Sequence, residues 1–105
     1  MPNPALTEAV TYILLSLVEP LHGYGIMQNV ERLSNGRVKL AAGTLYGALN
    51  TLLEKGWIVG LPGEGESRKK EYQTTELGRE MLRGEMLRLA ELLENGNRIL
   101  GRDGE

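Results

Sequence analysis

The hydrophobic period of this chain changes twice, and the two changes confine it to one order of elements. Up to Lys55 the apolar residues recur at helical spacing, from Trp57 to Thr74 the pattern is extended, and from Thr75 it is helical again. Leu6, Val10, Ile13, Leu14 and Leu17 fall at i, i+4, i+7, i+8 and i+11, one stripe of a helix expected from about Pro4 to Val18. Asn3 is its expected N-cap, with Pro4 at the first helical position and Pro20 beyond its end. Ile26, Met27, Val30 and Leu33 mark a second helix from about Gly23 to Leu33, closed by an Asn35-Gly36 turn. Val38-Lys39-Leu40 is expected as a short extended piece. A third helix is expected from Ala42 to Lys55 on Leu45, Leu49, Leu52 and Leu53, with Gly56 as its stop. Trp57-Ile58-Val59 and Lys70 to Thr74 read as a hairpin with a loop of about six residues, in which Pro62-Gly63-Glu64-Gly65 supplies turn chemistry. Thr75 caps the last helix, and Glu76 suits its first turn. Leu82, Met86, Leu89 and Leu93 recur there at 4-3-4 spacing, flanked by Leu77, Met81, Leu87, Ala90 and Leu92. Asn95-Gly96 is one place for this helix to end, and a further turn through Ile99 and Leu100 is the other.

A length of 105 residues supports one domain with a modest core. The sequence has no Cys and one His, His22, which removes disulfide frameworks, thiolate metal sites, Cys nucleophiles and His-rich zinc sites. No enzyme activity, catalytic residue, metal or cofactor is expected, and Gly63-Glu64-Gly65-Glu66 matches neither the dinucleotide fingerprint nor the P-loop. With 41% hydrophobic and 25% charged residues in near balance, the chain is too ordinary to be disordered. The longest apolar run, Ile13 to Val18 broken by Ser16, is too short to span a membrane, and no basic stretch precedes it as in a secretory signal. A cytoplasmic location with no membrane partner is the expectation. The net charge of -2 argues against a nucleic-acid partner only until it is divided. Residues 1–75 carry seven basic and seven acidic side chains, and residues 76–105 carry five Arg against seven acidic ones.

Three short helices, a hairpin and a long helix make a mainly α chain with a small β-hairpin, in the order of a winged helix-turn-helix plus a C-terminal dimerisation helix. Residues 1–75 are expected to form the DNA-binding winged domain and residues 76–105 the dimerisation helix and tail. His22-Gly23-Tyr24-Gly25-Ile26, then Gly43-Thr44-Leu45-Tyr46 with Ala48-Leu49, then Leu52-Leu53-Glu54-Lys55-Gly56-Trp57-Ile58, resemble the PadR family of bacterial transcriptional regulators. Lys70, Tyr72, Thr75 and Gly78 continue that resemblance through the wing, so that it covers roughly Leu6 to Leu82. The resemblance implies a homodimeric, DNA-binding regulator, usually a repressor relieved by a small molecule, whose single C-terminal helix exchanges with a partner subunit. Gly47 stands where many relatives carry a basic residue, and Leu89 stands near the place where relatives that bind flat drug-like molecules carry an aromatic.

In a winged helix the third helix enters the major groove and the hairpin reaches the backbone beside it. Gly43, Tyr46, Gly47, Asn50 and Glu54 fall opposite or beside the leucine stripe of that helix. Gly43 and Thr44 offer start-of-helix amides to a phosphate, Tyr46 offers its hydroxyl, and the Asn50 amide can pair bidentately with adenine. Each also has a plainer reading, as a helix cap, a half-buried aromatic and a solvated amide. Arg37 and Lys39 before the helix, with Arg68, Lys69 and Lys70 in the wing, are the basic residues expected to flank this surface and neutralise about three to five phosphates per subunit. Lys70 shares a strand face with Tyr72, so it reaches DNA only if Tyr72 is incompletely buried or the strand twists at its tip. The seam of Leu82, Met86, Leu89 and Leu93 is expected to pack on a second copy, with the first helix of the same chain as the alternative cover. Met81 and Met86 suit either core filling or an adaptable pocket for a small apolar effector. The rival to a palindromic DNA operator as partner is another protein, bound by a winged-helix interaction module without specific DNA binding.

Overall fold

The computed structural model describes residues 5–63 and 69–101. Among them the order of elements is α1 (Glu8–Ser16), β1 (Leu21–His22), α2 (Gly23–Leu33), α3 (Ala42–Glu54), β2 (Ile58–Leu61), β3 (Glu71–Thr74) and α4 (Glu76–Leu100). The mainly helical, winged architecture expected from the change of period is present.

Helix α1 starts later than the stripe suggests. Thr7 is its N-cap, and the Thr7 hydroxyl accepts the Val10 N–H at 3.1 Å. Leu6 lies outside the helix, before the Thr7 cap, and donates its N–H to the Glu85 carboxylate on α4 at 3.2 Å. The expected Asn3 cap and Pro4 lie outside the described residues. Helix α2 spans the expected residues, with His22 Nδ1 accepting the Gly25 N–H at 3.2 Å as its cap. Asn35 and Gly36 both take left-handed backbone, at φ 54° and 80°, and turn the chain after it. Val38 to Leu40 alternates in burial but forms no strand, and the buried Ser34 hydroxyl takes the Val38 N–H at 2.9 Å.

The C-terminus of α3 is a Schellman turn: Trp57 N–H returns to the Leu52 carbonyl at 3.0 Å and Gly56 N–H to that of Leu53, with Gly56 at φ 75°. The chain then enters β2. The sheet is antiparallel in the order β1-β3-β2, with Gly60 opposite Tyr72 on one side and Leu21 opposite Tyr72 on the other. Strand β1 has no counterpart in the sequence pattern. Two residues are too few to show a period, and their partner lies some fifty positions away. The expected wing-tip turn at Glu64-Gly65 falls outside the described residues.

Thr75 joins wing to last helix. Its hydroxyl accepts the Gly78 N–H at 3.1 Å and donates to the Gly56 carbonyl at 2.7 Å. Helix α4 then runs unbroken through Gly84 and Asn95-Gly96 to Leu100, where Gly101 at φ 77° stops it. Ile13, Leu14, Leu17, Ile26, Val30, Leu45, Leu49, Leu52, Ile58, Tyr72 and Leu82 form the buried core. Thr74 pins β3 to the end of α1, donating its N–H to Leu17 at 2.7 Å and its hydroxyl to Leu14 at 2.8 Å.

Candidate DNA interface

The exposed face of α3 is the one opposite Leu45, Leu49 and Leu52, and Gly43, Thr44, Tyr46, Gly47 and Asn50 are all exposed on it. The N-cap of the helix is Ala41, which has no side chain able to cap it. Its first-turn amides, around Gly43 and Thr44, therefore lack a side-chain acceptor, the condition under which a helix N-terminus attracts an anion. Asn50 projects from the same face further along.

Tyr46 does not hang free. Its hydroxyl lies against the backbone of Gly23, at the first turn of α2, in the space that a Cβ on residue 23 would fill. This links the two motifs most typical of the sequence, His22-Gly23-Tyr24 and Gly43-Thr44-Leu45-Tyr46, through a single contact. A notch of about 360 Å³ opens there, lined by His22, Gly23, Tyr24, Tyr46, Lys69, Lys70 and Tyr72. It joins the start of α2, the first turn of α3 and the end of the wing. Two lysines and three tyrosines give it donors and positive charge, a set that suits a phosphate. Burial pushes the Tyr72 phenol above its ordinary range, with Tyr46 acting in the same direction, so Tyr72 is neutral at physiological pH. The His22 ring nitrogen Nδ1 accepts the Gly25 N–H as the α2 cap.

Lys70 resolves the conflict over its strand face. Tyr72 is 8% exposed, yet Lys70 lies on the same face, with its ammonium nitrogen 5.7 Å from the centre of the Tyr72 ring. Of the other basic residues, Lys39 is exposed in the segment before α3. Arg37 is turned to α1, where its guanidinium pairs with the Glu8 carboxylate, holding Glu8 below its usual range, and it does not line the notch. Arg68 lies outside the described residues. Tyr24, 60% exposed in the notch lining, and Gly23, the seat of Tyr46, have no expected role beyond the motif that contains them. Their signal was the family motif itself.

The expected dimer seam divides in two. Leu82 is buried against the chain's own core, whereas Met86, Leu89 and Leu93 are exposed, as are Leu87, Leu92, Ile99 and Leu100 around them. A cavity of about 470 Å³ between α1 and α4 is floored by Leu6, Leu15, Met86 and Leu89. Met81 is not among its lining residues. Beside it the buried Glu85 carboxylate accepts from Arg88 Nε and Nη2 at 2.9 and 2.6 Å and from the Leu6 N–H. Those donors, Arg88 first, hold Glu85 below the usual carboxylate range.

Three helices around a small sheet, an open third helix and a wing whose lysines meet it define a winged helix-turn-helix with an added C-terminal helix. A profile of the transcriptional regulator PadR-like family matches residues 13–84. The chain belongs to that family. It resembles the crystal structure of a PadR family transcriptional regulator from Eggerthella lenta, with a TM-score of 0.72 and 26% identity over 90% of this chain and 82% of that one. A transcriptional regulator from Clostridium thermocellum is similar at a TM-score of 0.67 and 25% identity, covering 91% and 92% of the two chains. An uncharacterised 37.1 kDa protein in transposon TN4556 of Streptomyces fradiae is 37% identical over 86 residues, 81% of this chain. The chain spans about a quarter of that relative's length, 24%.

Proposed function

We propose that this chain is a DNA-binding transcriptional regulator, a homodimeric repressor that reads a palindromic operator with its third helix and wing. The observation that carries this reading is the notch where the Tyr46 hydroxyl, Lys69 and Lys70 converge beside the uncapped start of α3. A backbone phosphate seated there takes hydrogen bonds from a phenol and charge from two ammonium groups, which fixes the register of α3 on the duplex. Gly43 and Thr44 hold a second phosphate with first-turn amides and a hydroxyl. Asn50, on the same face, is then the residue that pairs with a base edge. Lys39 and Arg68 add charge along the backbone, and Arg37 joins them on leaving Glu8. The two-fold axis is supplied by α4, whose exposed leucines and Met86 pack on a second copy. A small apolar effector lodged against Met86 and Leu89 repacks α4, alters the distance between the two recognition helices and releases the operator.

The test is retention of a DNA fragment from upstream of the chain's own gene. Binding is expected to fall steeply with salt, because each neutralised phosphate releases counterions. A Lys69→Ala, Lys70→Ala double variant is expected to lose most of that binding. If no fragment is retained at low salt and the wing lysines are dispensable in cells, the DNA reading is wrong and a protein-binding winged helix takes its place.

A further inference from the structure

Lys70 lines the notch, and its stem runs past a residue on the neighbouring strand. Gly60 stands opposite Tyr72 in the β2–β3 ladder, and residues directly opposite share a sheet face. Lys70, two positions before Tyr72, lies on that face too. A side chain at position 60 would stand where Lys70 now runs: a Cβ there would be 2.6 Å from Lys70 Cε and 3.2 Å from its Nζ. The missing side chain leaves a groove across the sheet, and the lysine stem lies in it with its ammonium over the Tyr72 ring. Gly60 sits in a regular strand and is not among the glycines with positive φ, so its backbone conformation does not demand glycine.

We propose that Gly60 is a positioning residue for phosphate binding: its bare backbone lays Lys70 across the wing so that the ammonium meets the phosphate already confined. This rests on the DNA reading above. A lysine free in solvent loses rotamer freedom when it meets a phosphate, whereas one lying in a groove has lost it beforehand. A side chain at position 60 lifts the stem out and returns Lys70 to solvent, with the fold intact because only the far end of a flexible chain has to move.

The test measures binding of a mixed-sequence 40-base-pair duplex at low salt, which reads phosphate contacts without an operator. Gly60→Ala and Gly60→Val are made in the wild-type background and with Lys70→Ala, and each variant's thermal midpoint is recorded. In the wild-type background both substitutions are expected to weaken binding severalfold and to make the fall of log affinity with log salt shallower, by up to about 1 per subunit. Gly60→Val is expected to do so while holding or raising the midpoint, since valine favours a strand. With Lys70→Ala neither substitution weakens binding further. Equal weakening in both backgrounds overturns the proposal, and so does unchanged binding by Gly60→Val. A wild-type chain that does not bind the duplex overturns the DNA reading itself, a result distinct from wild-type binding that ignores position 60.

Discussion

The space that a side chain at Gly23 would fill is taken by the Tyr46 hydroxyl, so the two positions form one unit. Gly23→Ala is expected to destabilise the chain by about 1–3 kcal/mol through overpacking in urea unfolding, and Tyr46→Phe to recover part of that loss in the double variant. Tyr46→Phe alone leaves stability near wild type and weakens DNA binding about tenfold, the effect of one hydrogen bond to a charged acceptor. Additive losses in the double variant would show that the two residues are independent. Both residues are visible as motif letters in the sequence, but their contact is not, since it joins helices twenty-three positions apart. Glu85 is a harder case. On a helical wheel it reads as a solvated charge, and the buried carboxylate with its Arg88 and Leu6 donors follows only from where the start of the chain comes to rest. Its folded pKa lies below the ordinary 4.5, so it stabilises the fold fully above that pH, and the contribution is lost as pH falls through the folded value. Glu85→Gln is expected to lower the thermal midpoint at pH 7 and to flatten its decline below about pH 4.5. A midpoint-versus-pH curve parallel to wild type would exclude this role.

At the scale of elements, the period of the sequence carries α2, α3, the hairpin and the start of α4, because each buries a stripe of its own. It fails where an element depends on a partner distant in the chain. Strand β1 exists only through β3, and Val38 to Leu40 pairs with no strand among the described residues. Glycines in α4 show the same divide. Both Gly78 and Gly96 lie within α4, yet a Cβ on Gly78 would collide with the Trp57 carbonyl, while one on Gly96 would meet nothing within 4 Å. Close approach of α4 to the end of α3 therefore requires Gly78, and the wing is held to the last helix at that point. Gly78→Ala is expected to cost about 1–3 kcal/mol in urea unfolding despite alanine's better helix propensity. Gly96→Ala is expected to gain up to about 1 kcal/mol. The opposite signs of two identical substitutions in one helix are the check.

At the scale of the molecule, α4 is the element that the chain's own core covers least. Its 25 residues reach about 37 Å, in a body whose described residues extend 58 × 33 × 21 Å. Only its first part is covered by the chain's own core, through Gly78, Leu82 and Glu85. Beyond Glu85, Met86, Leu87, Leu89, Leu92, Leu93, Ile99 and Leu100 are each at least 38% exposed, a concentration of apolar surface that a lone domain does not ordinarily present. The 4-3-4 spacing legible in the sequence was thus a composite: Leu82 serves the monomer, and the positions after it are left for the proposed partner. Leu93 separates these roles most cleanly, being 65% exposed and outside the buried core. Leu93→Glu is expected to leave helicity and the winged domain intact, since it breaks no contact of the core. Its mass by sedimentation at micromolar concentration is expected to fall from two chains to one. Binding to a palindromic operator then weakens by about a hundredfold or more, because two linked half-site contacts become two separate events. Binding to a single half-site changes far less, as Tyr46, Asn50 and Lys70 are untouched. A wild-type chain already monomeric at that concentration would defeat the dimer and leave the apolar end of α4 to a different partner.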